Sequence, residues 1–64
     1  MPIIRVELLE GRTVDQKRAL VKEVTEAFVR TCGGNPASLQ VVISDVPAEN
    51  WGNGGELMSD RKKS

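Results

Sequence analysis

The chain has 64 residues, with nine basic and nine acidic side chains that cancel to zero formal charge, no histidine and one cysteine. That balance gives no sign of the clustered basic face of a nucleic-acid binder, and the missing histidine excludes Ser-His-Asp or Cys-His nucleophiles and Cys/His zinc sites. A single domain spanning 1–64 buries only about 60% of the surface that its unfolded form exposes, and the lone Cys32 cannot form an internal disulfide, so oligomerisation is the support expected.

Residues 2–9 alternate. Pro2, Ile4, Val6 and Leu8 face one way and Ile3, Arg5, Glu7 and Leu9 the other, which predicts a half-buried strand. The segment is too short and too charged for a signal peptide or a membrane span, so a soluble, cytoplasmic protein is expected. Glu10-Gly11-Arg12 breaks the strand. Thr13 with Gln16 three residues on is a capping-box pattern that predicts a helix start. Over 14–32, Leu20, Val21, Val24, Ala27 and Phe28 fall on one helical stripe, and Gly33-Gly34 ends the helix in a left-handed cap. Asn35-Pro36 opens a short turn that leads into a β-branched strand over 39–46, stopped by Pro47. The stretch NWGNGGEL (50–57) predicts a glycine-rich turn or small hairpin. Residues 59–64, with the basic run RKK at 61–63, read as a loose, solvated tail.

Strand, helix and strand over about 45 residues make one βαβ unit of the α/β class, with parallel strands and a C-terminal hairpin. Such a unit leaves one sheet face and both sheet edges open, which invites completion by another copy.

The placement of Pro2 raises a chemical question. A proline at a strand start is ordinary, because its missing N–H costs nothing there. If Met1 is removed, however, Pro2 becomes a free amine on a rigid ring. A terminal amine titrates at about 7.7–8.0, closer to neutrality than the cysteine, lysine or carboxylate side chains. Both readings of Pro2 are open from the residues alone.

PII at 2–4, LLEGR at 8–12, QK at 16–17 and WGNGGEL at 51–57 resemble 4-oxalocrotonate tautomerase, the short-chain branch of the tautomerase superfamily. The match runs without gaps over residues 2 to about 58. It implies an isomerase with the βαβ fold, assembled as a hexamer (a trimer of dimers). It also implies that Met1 is removed and that Pro2 is the catalytic base, with no cofactor and no metal. A base must be neutral to accept a proton, and burial and nearby cations both favour that form.

The other site residues are implied by position. The family binds a substrate carboxylate with the arginine at position 12; without the resemblance, the residues favour a solvated turn arginine for Arg12. Trp51 stands where the family has an aromatic wall, usually phenylalanine. Gln40 departs from the pattern, since the family carries a second arginine there that polarises the substrate's oxygen. Glutamine can donate a hydrogen bond but brings no charge. Arg5 reads as a surface-strand arginine paired with Glu7 across a subunit contact. Cys32, at a helix C-terminus where the dipole disfavours a thiolate, reads as structural. Gly52, Gly54 and Gly55 lack the spacing of a phosphate-binding loop.

The expected function is keto–enol tautomerisation of 2-hydroxydienoate or a related small unsaturated enol carboxylic acid by a homo-oligomer, with no nucleic-acid or membrane partner. Two alternatives remain open. One is a hydratase or dehalogenase of unsaturated acids on the same scaffold, and the other is a non-catalytic partner subunit of a mixed hexamer.

Overall fold

In the computed structural model, which describes residues 2–61, the N-terminal alternation becomes strand β1 (Ile3–Leu9). Ile4, Val6 and Leu8 are half-buried, while Ile3, Arg5 and Glu7 are exposed. Helix α1 (Val14–Cys32) begins at the Thr13 cap. The Thr13 hydroxyl accepts from the Gln16 N–H at 3.1 Å, and the Gln16 side-chain oxygen accepts from the Thr13 N–H at 2.9 Å. Two otherwise orphaned backbone donors are thereby satisfied. Leu20, Val21, Val24, Ala27 and Phe28 are all half-buried along the predicted stripe.

The helix ends where the two glycines predict, with one difference. Gly33 has φ 80° and ψ −174°, so it departs from left-handed helical geometry into an extended region open essentially to glycine alone. Its N–H still closes the last turn on the Val29 carbonyl at 2.9 Å.

The predicted turn is a 3₁₀ turn, Pro36–Ser38, capped by the Asn35 side chain. Strand β2 (Gln40–Val46) starts one residue later than the sequence predicts. The Leu39 N–H is spent on the Pro36 carbonyl at 3.2 Å, so Leu39 closes the turn and stays out of the ladder. β2 runs parallel to β1, with Ile3 opposite Gln40 and Leu9 opposite Val46. Paired residues share a face, so Ile4, Val6 and Leu8 join Val41 and Ile43 on the side that α1 covers. The other face carries Ile3, Arg5 and Glu7 beside Gln40, Val42 and Ser44, and no described element covers it.

After a 3₁₀ turn at Ala48–Asn50, strands β3 (Gly52–Asn53) and β4 (Glu56–Leu57) form the antiparallel hairpin. Its corner residues, Gly54 and Gly55, have φ 63° and 87°, the positive values that a two-residue hairpin turn matched to strand twist requires. A last 3₁₀ turn takes up Met58–Asp60. Arg61 reaches back to the Asn53 carbonyl and side-chain oxygen, each at 3.3 Å, and to the Glu56 carboxylate at 3.2 Å. Of the predicted tail, 59–61 thus belong to a turn and its clamp, and 62–64 lie outside the described residues.

Half-burial is as far as any described residue goes. The radius of gyration is 15.0 Å, against about 11 Å for a compact chain of this length. The accessible surface is 5045 Å², where a folded monomer of this mass would expose roughly 4,000 Å². Ile3 and Val42 on the open sheet face, Val14 at the helix start and Leu57 in the hairpin remain 41–61% exposed. One helix over two strands covers one face and no more. No described helix is long and apolar enough to cross a membrane.

Candidate active site

Pro2 stands immediately before β1 and is exposed. Its carbonyl accepts from the Gln40 N–H at 3.0 Å, extending the ladder by one bond beyond β1. The carbonyl side of the residue is thus held by the sheet, and a pyrrolidine ring allows little rotation about the rest. Met1, and with it the expected cleavage, lies outside the described residues.

Gln40 opens β2 beside Pro2. Its exposed side chain belongs to the uncovered face, with Ile3 and Val42.

Arg12 sits at the other end of the sheet, in the short connection from β1 to α1. Its Nη1 donates to the Leu9 carbonyl at 3.3 Å, and the side chain is exposed. Of the three cations between 10 and 18, Lys17 pairs with Asp45 and Arg18 with Asp15 at 2.6 Å. Arg12 forms no ion pair among the described residues, and its guanidinium retains N–H donors beyond the one on Leu9 that could face an anion.

Trp51 is half-buried and follows β2 by five residues. Its N–H donates to the Ala48 carbonyl at 3.3 Å and its carbonyl accepts from the Met58 N–H at 2.8 Å, so its backbone is pinned on both sides.

The chain brings Pro2 and Gln40 together and keeps Arg12 apart from them. Seven residue steps of extended strand separate Pro2 from Leu9, about 23 Å at a rise of about 3.3 Å per residue. An arginine side chain spans about six bonds of about 1.5 Å, a reach of only about 7 Å. No cavity is enclosed among the described residues of one chain, and no three acidic or cysteine side chains converge as a metal site would need.

One pair went unsingled in the sequence: Lys17 in the first turn of α1 binds Asp45 of β2. A signal was present. Asp45 is third in the row Val41, Ile43, Asp45 on the helix-covered face, where a charge needs a partner.

The family model described as tautomerase enzyme matches residues 2–61, nearly the whole chain. The chain belongs to the tautomerase family. A "Probable tautomerase" of Streptococcus pneumoniae serotype 4 is 47% identical over 57 residues, covering 89% of this chain and 95% of that protein. A 2-hydroxymuconate tautomerase of Comamonas testosteroni is 46% identical over 55 residues, covering 86% of this chain and 87% of the relative. Among solved structures, a heterohexamer 4-oxalocrotonate tautomerase from Chloroflexus aurantiacus superposes with a TM-score of 0.90 at 29% identity, over 97% of this chain and 100% of that one. The βαβ unit with its C-terminal hairpin is therefore a tautomerase fold.

Proposed function

We propose that this tautomerase interconverts a 2-hydroxydienoate, or a related enol acid, with its 2-oxo form, using the Pro2 amine exposed by loss of Met1. The neutral amine takes the proton of the enol hydroxyl as the carbonyl forms, and the resulting ammonium returns a proton to carbon, so no cofactor is consumed. Arg12 holds the substrate carboxylate, Trp51 forms an apolar wall, and Gln40 donates a hydrogen bond to the substrate's polar far end.

The observation that carries this reading is the placement of Pro2. Its carbonyl accepts from the Gln40 N–H at 3.0 Å, which ties the residue that bears the ring nitrogen to the end of the sheet and supports a fixed orientation. Such a fixed direction is what a proton shuttle requires. Because the Leu9 carbonyl that holds the Arg12 guanidinium lies roughly 23 Å from Pro2 by strand length, the site takes its Arg12 from a neighbouring copy. The open sheet face and the thin apolar layer favour association with further copies, and a hexamer built as a trimer of dimers is the form that the resemblance implies. Mass spectrometry together with turnover of the phenylpyruvate enol tests the base. Protein lacking Met1 should be active, and protein acylated at the amine or retaining Met1 should be inactive. Undiminished turnover by the blocked protein refutes Pro2 as the base.

Gln40 gives one specific reason for a second reading, in which this chain is one component of a mixed hexamer. Protein purified alone that neither assembles nor turns over any enol, but does both with a second short chain, would favour that reading.

A further inference from the structure

The connection that carries Arg12 has little to hold it in place. Gly11, at φ 128°, stands in open space: a Cβ there would meet nothing within 4 Å. Yet both ends of this connection are tied to consecutive residues of β2. On one side the Glu10 N–H donates to the Val46 carbonyl at 3.0 Å. On the other, Lys17 pairs with the Asp45 carboxylate, the one ion pair among the described residues that joins α1 to the sheet. Thr13 to Lys17 form a stiff unit between these anchors. The capping box closes it, and the Lys17 N–H donates to the Thr13 carbonyl at 3.1 Å. Whatever fixes Lys17 against β2 therefore fixes the residue next to Arg12.

Packing does not account for this pair. Asp45 occupies a position on the helix-covered face where its neighbours in the row are Val41 and Ile43, and an apolar side chain would extend that row. The two side chains are 28% and 36% exposed, so solvent screens their attraction and the pair adds little stability. What a charged pair supplies and an apolar contact lacks is direction.

We propose that Lys17 and Asp45 form a positioning pair for Arg12. They set the helix start against β2 so that the guanidinium stands where a substrate carboxylate arrives, and they keep the Lys17 charge from competing for it. This rests on the reading of Arg12 as the carboxylate binder.

The test uses purified protein lacking Met1 and two probes: the enol of phenylpyruvate, which has a carboxylate, and the enol of phenylacetaldehyde, which has none. Lys17→Met and Asp45→Asn should each raise KM for the phenylpyruvate enol about tenfold while kcat changes less than about twofold. Turnover of the phenylacetaldehyde enol should not change. The exchanged pair, Lys17→Asp with Asp45→Lys, should recover the lower KM. In an Arg12→Ala background, Lys17→Met should add no further loss. Asp45→Asn decides between direction and mere charge. If an extra free cation were all that mattered, that variant would lower KM. An unchanged or lowered KM, or equal losses on both enols, overturns the proposal, as does loss of assembly in both single variants without recovery in the exchanged pair. If Arg12→Ala itself leaves KM unaltered, the carboxylate reading falls first; if it raises KM and the pair variants do not, the positioning role alone falls.

Discussion

If Pro2 and Arg12 of one chain cannot reach the same substrate, two differently disabled chains should repair each other. The parent variants are Pro2→Ala, which removes the oriented ring amine, and Arg12→Ala, which removes the carboxylate binder. The Arg12 guanidinium is held 3.3 Å from the Leu9 carbonyl, while the Pro2 carbonyl is bonded to Gln40 at the far end of β1. With about 23 Å of strand between them and an arginine reach of about 7 Å, roughly 16 Å remains unbridged. Pro2→Ala still exposes a primary α-amine, so its loss comes from the poorer orientation of that amine and should be about 10²-fold. When the two variants are unfolded, mixed in equal amounts and refolded, each site draws its Pro2 and its Arg12 independently from different copies. About one quarter of the sites in a symmetric assembly then hold both native residues, and activity should recover to about one quarter of the native value. Ketonisation of the phenylpyruvate enol, followed by absorbance, reads this directly, and native mass spectrometry confirms that mixed assemblies formed. Mixed assemblies no more active than the sum of the two parents would refute the shared site.

Three further outcomes are expected. Gln40→Arg should raise kcat/KM for 2-hydroxymuconate more than for a monoacid enol. A charge-assisted bond is worth about 1.5–3 kcal/mol against about 0.5–1.5 for a neutral one, and about 1.4 kcal/mol is tenfold in rate. Full diacid efficiency in the native protein would show that Gln40 is no deficiency. Dilution followed by sedimentation and circular dichroism should show dissociation together with loss of structure, because the described residues enclose no core; a cooperatively folded monomer at low concentration contradicts this. Thr13→Ala removes the hydroxyl that accepts the Gln16 N–H and should destabilise the protein by about 1 kcal/mol, read as a lower thermal midpoint at fixed protein concentration.

Local structure was legible in the sequence because short-range physics decides it. The capping pair Thr13 and Gln16, the stripe from Leu20 to Phe28, the glycine stop and the Gly54-Gly55 hairpin corner each depend on residues within a few positions of one another. Where the backbone competes with itself over such distances, the reading needed adjustment: Leu39 closes a turn instead of opening β2, and Gly33 is extended at positive φ. The resemblance, too, could be drawn from four short stretches in order. Tertiary structure decided the rest. Parallel pairing put the Pro2 carbonyl on Gln40, residues 38 positions apart in sequence, and sent Arg12 to the opposite end of the sheet. Spacing along a chain says nothing about that, since a crossover through a 19-residue helix reverses direction before the second strand begins. Asp45 drew no notice within its strand, and only the fold laid Lys17 of α1 over it. The candidate site residues are thus the ones that the resemblance implies, while the separation of Pro2 from Arg12 within one chain comes from strand length and helix direction, which only the folded chain reveals.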